Sequence, residues 1–355
     1  ETSLAGKQRC YTSYADYNLG AIVEFALNDG KSVKYDRYVA ARTGDPREFK
    51  TYEQFLEAVK EQIRYVLKCM VAGNQVTTEI VYDMECPVAS LTFKECLEKG
   101  SDYAWGGPKY SMGDGLDAIG VADLINSILA VKELVYDKKM VSMDTLCKAL
   151  AADFVGYEDV HAMCVNATKY GNDDKEADDL ACDMFNFIAD YIEGFQHVFG
   201  RYTAGILPVS GNTPFGEQVG ALPSGRRAWK PLADGLSPEQ GTDTNGMSAV
   251  VRSVANIPHT RYNQGTLLNQ KLDPLFAHGE KSVEALMAYL KTLCSLGVFH
   301  VQFNVVDEEL LRDAQVHPEE YNDLLIRVAG YTAFFTELGP ETQGDIISRT
   351  TQTSL

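Results

Sequence analysis

The carboxyl end of the chain reads LIRVAGYTAFF over residues 325–335, followed by QGDIISRT over residues 343–350. Gly330 sits at the centre of the first stretch, between a short apolar run and an aromatic residue. A single glycine in such a setting predicts a turn. The flanking RVAGY pattern and its distance from the end of the chain, however, indicate a motif and not an ordinary turn.

Upstream of this motif the chain alternates short apolar runs with loops rich in Gly, Pro and Asn. The runs at residues 204–209, 248–254 and 299–306 predict buried strands. A helix is expected over residues 281–296, before the last run, and another over residues 308–314, after it. Alternating strands and helices indicate an α/β architecture.

The first 200 residues have mostly helical periodicity. Helices are expected over residues 17–27, 52–71, 91–97, 122–136 and 177–199. Residues 106–120 are rich in glycine and predict a loop that leads into a helix, without the spacing of a nucleotide-binding motif. Neither repeats nor a linker are visible, so the chain is treated as part of one domain.

Composition and charge narrow the function classes. Fifty acidic residues against 32 basic ones give a net charge of −18, which opposes binding to nucleic acid or to anionic membranes. No run of about 18 apolar residues predicts a membrane span. The eight cysteines include no CxxC pair, and most fall in helical patterns, so buried reduced thiols of a cytoplasmic protein are expected and no metal site.

The two C-terminal stretches resemble the radical loop of the glycyl radical enzymes, the family of pyruvate formate-lyase, choline trimethylamine-lyase and hydroxyproline dehydratase. Residues 212–216, 225–235, 265–270 and 300–304 resemble further segments of that family. The resemblance implies the C-terminal part of a ten-stranded α/β barrel. It divides the chain into residues 1–225, part of the barrel, and residues 226–355, the glycine radical domain.

The resemblance also implies site residues, a cofactor and partners. Gly330 would carry a radical installed by a separate AdoMet-dependent iron–sulfur activase, with no metal or cofactor bound to this chain. The catalytic cysteine of the family precedes a glutamate that acts as general base, which implies that Glu1 is that base and that the cysteine lies just before it. A homodimer acting on a small molecule, without nucleic acid or membrane partners, is the expected assembly.

The reaction within the family stays open at this point. Diol dehydratases carry Trp-His-Asp at the position where this chain has Tyr11-Thr12-Ser13, and this difference counts against a diol substrate. Choline trimethylamine-lyases carry a Thr-Ser pair there, which is similar to Thr12-Ser13. Thr12, Ser13 and Thr213 are therefore candidates for substrate binding. Elimination across a C–N or C–O bond is favoured, with choline or hydroxyproline as substrate. Formate C-acetyltransferase activity and a stand-alone radical carrier subunit are the alternatives, and a binding module without catalysis is the third.

Several other features allow a structural interpretation. Arg226, Arg227 and Asp234 could position polar substrate groups or form an internal salt bridge. His300 lies in an apolar run and is interpreted as a core histidine. We expect the isolated 355-residue chain to be inactive and poorly stable, because half a barrel exposes strand edges and apolar faces.

Overall fold

The computed structural model describes residues 7–9, 15–111, 113–207, 209–274 and 280–352 of the 355-residue chain. The α-helices in this part are α1 (Leu19–Leu27), α2 (Tyr52–Tyr82), α3 (Pro87–Ser90), α4 (Lys94–Lys99), α5 (Val121–Val131), α6 (Met143–Ala151), α7 (Glu158–Asn166), α8 (Lys175–Glu193), α9 (Asn212–Gly216), α10 (Met247–Ala255), α11 (Glu280–Ser295), α12 (Glu308–Val316) and α13 (Pro340–Ser348). The strands are β1 (Gln8–Arg9), β2 (Ala15–Asn18), β3 (Lys31–Ser32), β4 (Arg37–Tyr38), β5 (Tyr110–Ser111), β6 (Gly115–Ile119), β7 (Gln196–His197), β8 (Gly200–Arg201), β9 (Thr203–Ile206), β10 (Gly265–Thr266), β11 (Leu268–Leu272), β12 (Val301–Val305), β13 (Leu325–Arg327), β14 (Thr332–Phe334) and β15 (Thr351–Gln352).

Two parallel sheets carry the fold. The first has the strand order β10-β9-β6-β2 and the second the order β12-β11-β15, and every pairing within them is parallel. Strands β10 and β11 belong to one extended segment, so the chain passes directly from the first sheet into the second. Parallel neighbours need long crossovers, which the helices between the strands provide. The predicted α/β class is confirmed.

Burial of the central elements explains their sequences. All residues of β6 and all residues of α5 are buried, so neither element shows a polar face. Within this core a Cβ on Gly205 of β9 would collide with the Asp117 carboxylate of β6. The close approach of the two strands therefore requires glycine at that position.

Two predicted assignments are wrong. The run 248–254 belongs to helix α10, although its β-branched residues favour a strand. Its buried residues Met247, Val250, Val251 and Val254 have helical spacing, and packing of that one face outweighs the local preference. Residues 115–119, expected in a loop, form the buried strand β6, because tertiary pairing can order a glycine-containing segment.

Most other predicted elements are confirmed with shifted ends. Strand β2 occupies the start of the first predicted helix, and Asn18 then caps α1 by accepting from the amide of Ala21 at 2.8 Å. Of the predicted helix 91–97, residues 91–93 lie between α3 and α4 and residues 94–97 lie in α4. Helix α5 passes into a π-helical turn over Lys132–Asp137, and α8 ends at Glu193. Strands β9 and β12 and helices α11 and α12 occur where they were expected, and α2 begins at Tyr52 as predicted but continues past residue 71 to Tyr82.

None of the helices in the described ranges is both long and apolar enough to span a membrane. The cysteines of this part are free thiols. Cys96 and Cys164 are buried as predicted, whereas Cys69 and Cys294 are exposed, contrary to the prediction. Burial raises the pKa of the Cys164 thiol to about 11, so this side chain stays protonated at neutral pH.

Candidate functional site

Gly330 lies at the tip of a β-hairpin. Strands β13 and β14 pair antiparallel, with Arg327 opposite Thr332, and the loop between them is closed by a 2.9 Å bond from the amide of Val328 to the carbonyl of Tyr331. Gly330 has a φ of +90°, a region that residues with a Cβ rarely adopt. The hairpin geometry thus requires glycine at this position.

The loop is seated at one edge of the first sheet. Ala329 is fully buried in a small apolar cluster with Leu207 and Leu267. Leu207 directly follows β9, and Leu267 directly follows β10. The carboxyl ends of parallel strands are where α/β proteins place their binding and catalytic groups, so Gly330 stands at the edge where a site is expected.

Two amide side chains of β12 hold the hairpin. Gln302 and Asn304 are both buried and, being two residues apart, project from the same face of the strand. The Asn304 amide pairs with the main chain of Arg327, accepting from its N–H at 2.9 Å and donating to its carbonyl at 2.6 Å. Gln302 Oε1 accepts from the Gly330 amide at 3.1 Å and from Arg327 Nε at 2.8 Å.

A buried arginine anchors the loop from the C-terminal segment. Arg349 Nη1 donates to the carbonyl of Val328 at 2.9 Å, and Nη2 lies 2.9 Å from Asp345 and 3.5 Å from Asp234. Burial would lower the pKa of Arg349, but the two carboxylates outweigh it and the pKa is raised. Gln240 donates to the other oxygen of Asp345 at 2.6 Å. The cation therefore stays charged and paired.

The end of the described chain is fixed by further contacts. Strand β15 pairs with β11, and Thr350 and Gln352 both donate to the carboxylate of Asp243. Burial raises the pKa of Asp243 to about 6. Lys271 Nζ donates to the carbonyl of Ile347 at 2.7 Å. The segment that carries the glycine loop is thus tied to the sheet on both sides.

The predicted site residues fall into two groups. Gly330 and Thr213 are described, and Thr213 lies in α9, which follows the carboxyl end of β9. Its side chain is buried, and its Oγ1 has no hydrogen-bond partner among the described residues. Glu1, Thr12 and Ser13 lie outside the described residues.

Arg226 serves as an internal bridge. Its guanidinium donates to the carbonyls of Gly216 and Gly220 at 2.8 and 2.9 Å, and its Nε lies 3.7 Å from Asp123. These contacts close the loop that follows α9. Arg227 likewise donates to the carbonyl of Asp153. The structural interpretation of these arginines therefore fits the contacts better than a role in substrate positioning.

Sequence reasoning named no role for three residues that the structure places around Gly330. They are Gln302, Asn304 and Arg349. The segments that contain them resemble segments of the family, and this resemblance was the one sequence feature that pointed to them. The spacing of residues in the sequence could not show which side chains reach the loop. His300, interpreted as a core histidine, is only partly buried and contacts Gln302, with Nε2 of each side chain 2.9 Å apart.

The described ranges contain no cluster of three or more His, Cys, Asp or Glu side chains suited to a metal ion.

Comparison with known proteins gives two family matches. The pyruvate formate lyase-like family matches residues 1–216, and the glycine radical family matches residues 232–336, which include Gly330. The chain belongs to the pyruvate formate lyase-like glycyl radical enzymes.

Individual relatives agree with this assignment. The chain is 39% identical to trans-4-hydroxy-L-proline dehydratase of Clostridioides difficile, over 99% of this chain and 45% of the relative. It is 34% identical to isethionate sulfite-lyase of Bilophila wadsworthia, over 96% of this chain and 42% of the relative. The glycerol-bound structure of the B12-independent glycerol dehydratase from Clostridium butyricum superposes with a TM-score of 0.94 at 34% identity, covering 98% of this chain and 44% of that one.

The predicted family and its fold are confirmed by these matches. The chain spans less than half the length of the curated relatives that it matches. Glycyl radical enzymes use a radical on a glycine of the polypeptide as their cofactor, and a separate activase supplies the AdoMet and iron–sulfur chemistry.

Proposed function

We propose that this protein is a glycyl radical lyase in which Gly330 stores the radical between turnovers. The observation that carries the proposal is the seating of Gly330. The residue lies at a hairpin tip with a φ of +90°, at the carboxyl edge of a parallel sheet, and its amide is bound by Gln302. The loop is held from two directions, as a stored reactive centre requires.

Glycine suits this task for a physical reason. A radical on its Cα can become planar and share its spin with the flanking amide nitrogen and carbonyl group. A Cβ would oppose the backbone geometry seen here. The domain boundary predicted near residue 225 is kept as part of the proposal, with the barrel portion before it and the radical domain after it.

The chemical steps balance as hydrogen-atom transfers. The glycyl radical takes a hydrogen atom from a cysteine thiol, and the thiyl radical takes one from a substrate C–H bond. Glu1 then removes a proton from the hydroxyl or amine on the radical-bearing carbon while the neighbouring C–O or C–N bond breaks, and the leaving group departs with the bonding electrons. A departing hydroxide takes up that proton and leaves as water. The product radical takes a hydrogen atom from the thiol, and the resulting thiyl radical takes one from Gly330, which restores the stored radical.

Thr213 supports a binding role next to this chemistry. A buried hydroxyl without a partner is costly to fold unless something else satisfies it. A polar substrate group at the carboxyl edge of β9 would supply that partner. Thr12 and Ser13 remain proposed substrate contacts from the segment that precedes β2.

Dehydration is the form of elimination that we test first. The 39% identity to a hydroxyproline dehydratase supports cleavage of a C–O bond, with trans-4-hydroxy-L-proline as the first substrate and choline as the C–N comparison. The proposed partners are a radical AdoMet activase and a second copy of the same chain.

The test is anaerobic EPR on the full-length gene product that contains this chain, after treatment with its activase, AdoMet and a reductant. A carbon-centred doublet is expected, which is absent in Gly330→Ala, and exposure to oxygen should cleave the wild-type chain at residue 330. The absence of any doublet under conditions that activate a known relative would contradict the proposal. Substrate assays then follow on the activated enzyme.

A further inference from the structure

We propose that Gln302 is a positioning residue that fixes the peptide plane of Gly330 and thereby sets the electronic environment of the radical. The inference rests on the proposed function. It starts from the bond between Gln302 Oε1 and the Gly330 amide, 3.1 Å long and made by a side chain that is only 7% exposed. No solvent competes strongly for this acceptor.

The orientation of the Gln302 amide follows from its partners. The backbone N–H of Gly330 and the Nε–H of Arg327 are both donors and nothing else. Gln302 must therefore turn its oxygen toward them, which the 3.1 and 2.8 Å distances reflect. The Gln302 amide is then fixed by its contacts and not by an arbitrary choice between oxygen and nitrogen.

The same orientation brings a third residue into contact. With its oxygen toward Gly330, Gln302 presents its NH₂ group to His300 Nε2 at 2.9 Å. A ring nitrogen that accepts from this NH₂ group supports the orientation that the Gly330 bond needs, and the three residues form one hydrogen-bonded chain.

The electronic consequence follows from how the radical is stabilised. The amide nitrogen of Gly330 shares electron density with the electron-poor Cα centre. An acceptor on the N–H polarises that bond toward nitrogen and holds the peptide group in one orientation. Loss of Gln302 Oε1 should therefore change the spin density on nitrogen as well as the stability of the loop.

Asn304 shows what a purely structural role would look like. It pairs with the main chain of Arg327 and makes no bond to Gly330. A residue that only anchors the hairpin would alter the amount of radical without altering its spectrum. A change in the ¹⁵N hyperfine coupling of Gly330 therefore distinguishes a residue that positions its peptide group from one that only anchors the hairpin.

The experiment compares Gln302→Leu, Gln302→Asn and Gln302→Glu in ¹⁵N-labelled, activase-treated protein. Leu cannot accept a hydrogen bond, and Asn is one methylene too short to reach Gly330. In both we expect about a five-fold lower radical yield, corresponding to about 1 kcal/mol for the lost bond, with a changed ¹⁵N coupling. Glu keeps an acceptor oxygen for Gly330 and Arg327, and its other oxygen can accept from His300 Nε2 when that ring nitrogen carries a proton, so both values should be restored.

Gln270→Leu is the matched control, because Gln270 is a buried glutamine of the adjacent strand β11 that has no bond to the loop among those described. It should leave the spectrum unchanged. Gln302→Asn is the milder variant should Gln302→Leu fail to fold. A wild-type ¹⁵N coupling in a folded Gln302→Asn or Gln302→Leu protein would overturn the inference whatever the radical yield, whereas a wild-type protein without any radical would instead overturn the proposed function.

Discussion

Arg349 joins the loop that carries Gly330 to two buried carboxylates, Asp345 and Asp234, with a single guanidinium group. Its Nη1 lies 2.9 Å from the carbonyl oxygen of Val328, and its Nη2 lies 2.9 Å from Asp345. Because Val328 precedes Gly330 by two residues, the position of the glycine depends directly on this arginine. Arg349 of the Arg349-Thr350 pair therefore has a structural role, which is to hold the loop.

Arg349→Met should release the glycine loop. The substitution leaves buried Asp345 without its cation, and breaking such a pair costs about 3–5 kcal/mol. Hydrogen exchange of the segment from β13 to β15 measures the loss. The control is Arg312→Met, which removes an exposed pair with Glu308 worth about 0–1 kcal/mol. Equal increases in hydrogen exchange in the two variants would contradict the proposal that Arg349 anchors the loop.

Gly330→Ala and Gly344→Ala should have opposite effects on stability. At Gly330, with a φ of +90°, alanine should cost about 1–3 kcal/mol. Gly344 lies within α13 and a Cβ there meets open space, so alanine should stabilise by about 0.5–1 kcal/mol. Chemical denaturation checks both. If Gly344→Ala also abolished the EPR doublet, loss of the signal could not be assigned to Gly330.

Asn304→Asp should loosen the hairpin in a pH-dependent way. Ionised aspartate still accepts from the Arg327 amide but places an oxygen against the Arg327 carbonyl, which should cost about 1–3 kcal/mol at pH 7. The protonated acid can donate to that carbonyl, so the folded state raises the carboxyl pKa. Stability is then regained as the pH falls through that pKa. Hydrogen exchange of the Arg327 amide at pH 7 and pH 5 is the measurement, and identical protection would refute the prediction.

Thr213→Val should affect substrate binding without destabilising the protein. Its hydroxyl has no partner among the described residues, so replacing it by a methyl group of the same shape should be neutral or stabilising for folding. We expect a melting temperature that is unchanged or higher and a KM raised about five- to ten-fold, the value of one lost hydrogen bond.

The contrasting variant for that test is Thr266→Val. Thr266 is buried and its Oγ1 lies 2.8 Å from His259 Nδ1, so this change should lower the melting temperature. An unchanged KM in Thr213→Val would remove Thr213 from the proposed substrate contacts.

Asp178→Asn should stabilise the protein at neutral pH and above. Burial, together with the charges of Asp173, Asp174 and Asp179, raises the pKa of Asp178 to about 6. Because the folded state binds the proton more tightly than the unfolded chain, this group's contribution to stability falls as the pH rises from about 4 to 6. Asparagine removes that cost.

The melting temperature of Asp178→Asn should therefore exceed that of wild type at pH 8, with a smaller difference at pH 4. Asp183→Asn is the control, since Asp183 is an exposed residue of the same helix and is not among the charges that raise the pKa of Asp178. A gain in Asp178→Asn that is the same at both pH values would point to packing and not to charge.

Local patterns were sufficient for several elements and insufficient for others. The long amphipathic repeat of α2 specified a helix, because it buries one consistent face. The apolar runs of β9 and β12 specified strands, since β9 is buried throughout and β12 is buried or half-buried up to Asn304. The segment of α10 was wrongly predicted to be a strand, because its β-branched residues favour that structure when the packing of the segment is unknown. Strand β6 was missed because its glycine and aspartate are accommodated only by pairing with β2 and β9.

The sequence by itself determined the family and the glycine that the proposal assigns to the radical. RVAGY is a local motif, and a φ of +90° at Gly330 is a local requirement that one residue type meets. What only the tertiary structure decided is which groups surround that glycine. Gln302 and Asn304 come from β12 and Arg349 from the segment between α13 and β15, and their hydrogen bonds to the loop arise because parallel pairing of β11 with β12 and β15 brings those two segments together. Contacts between residues distant in sequence depend on that packing, which no local spacing encodes.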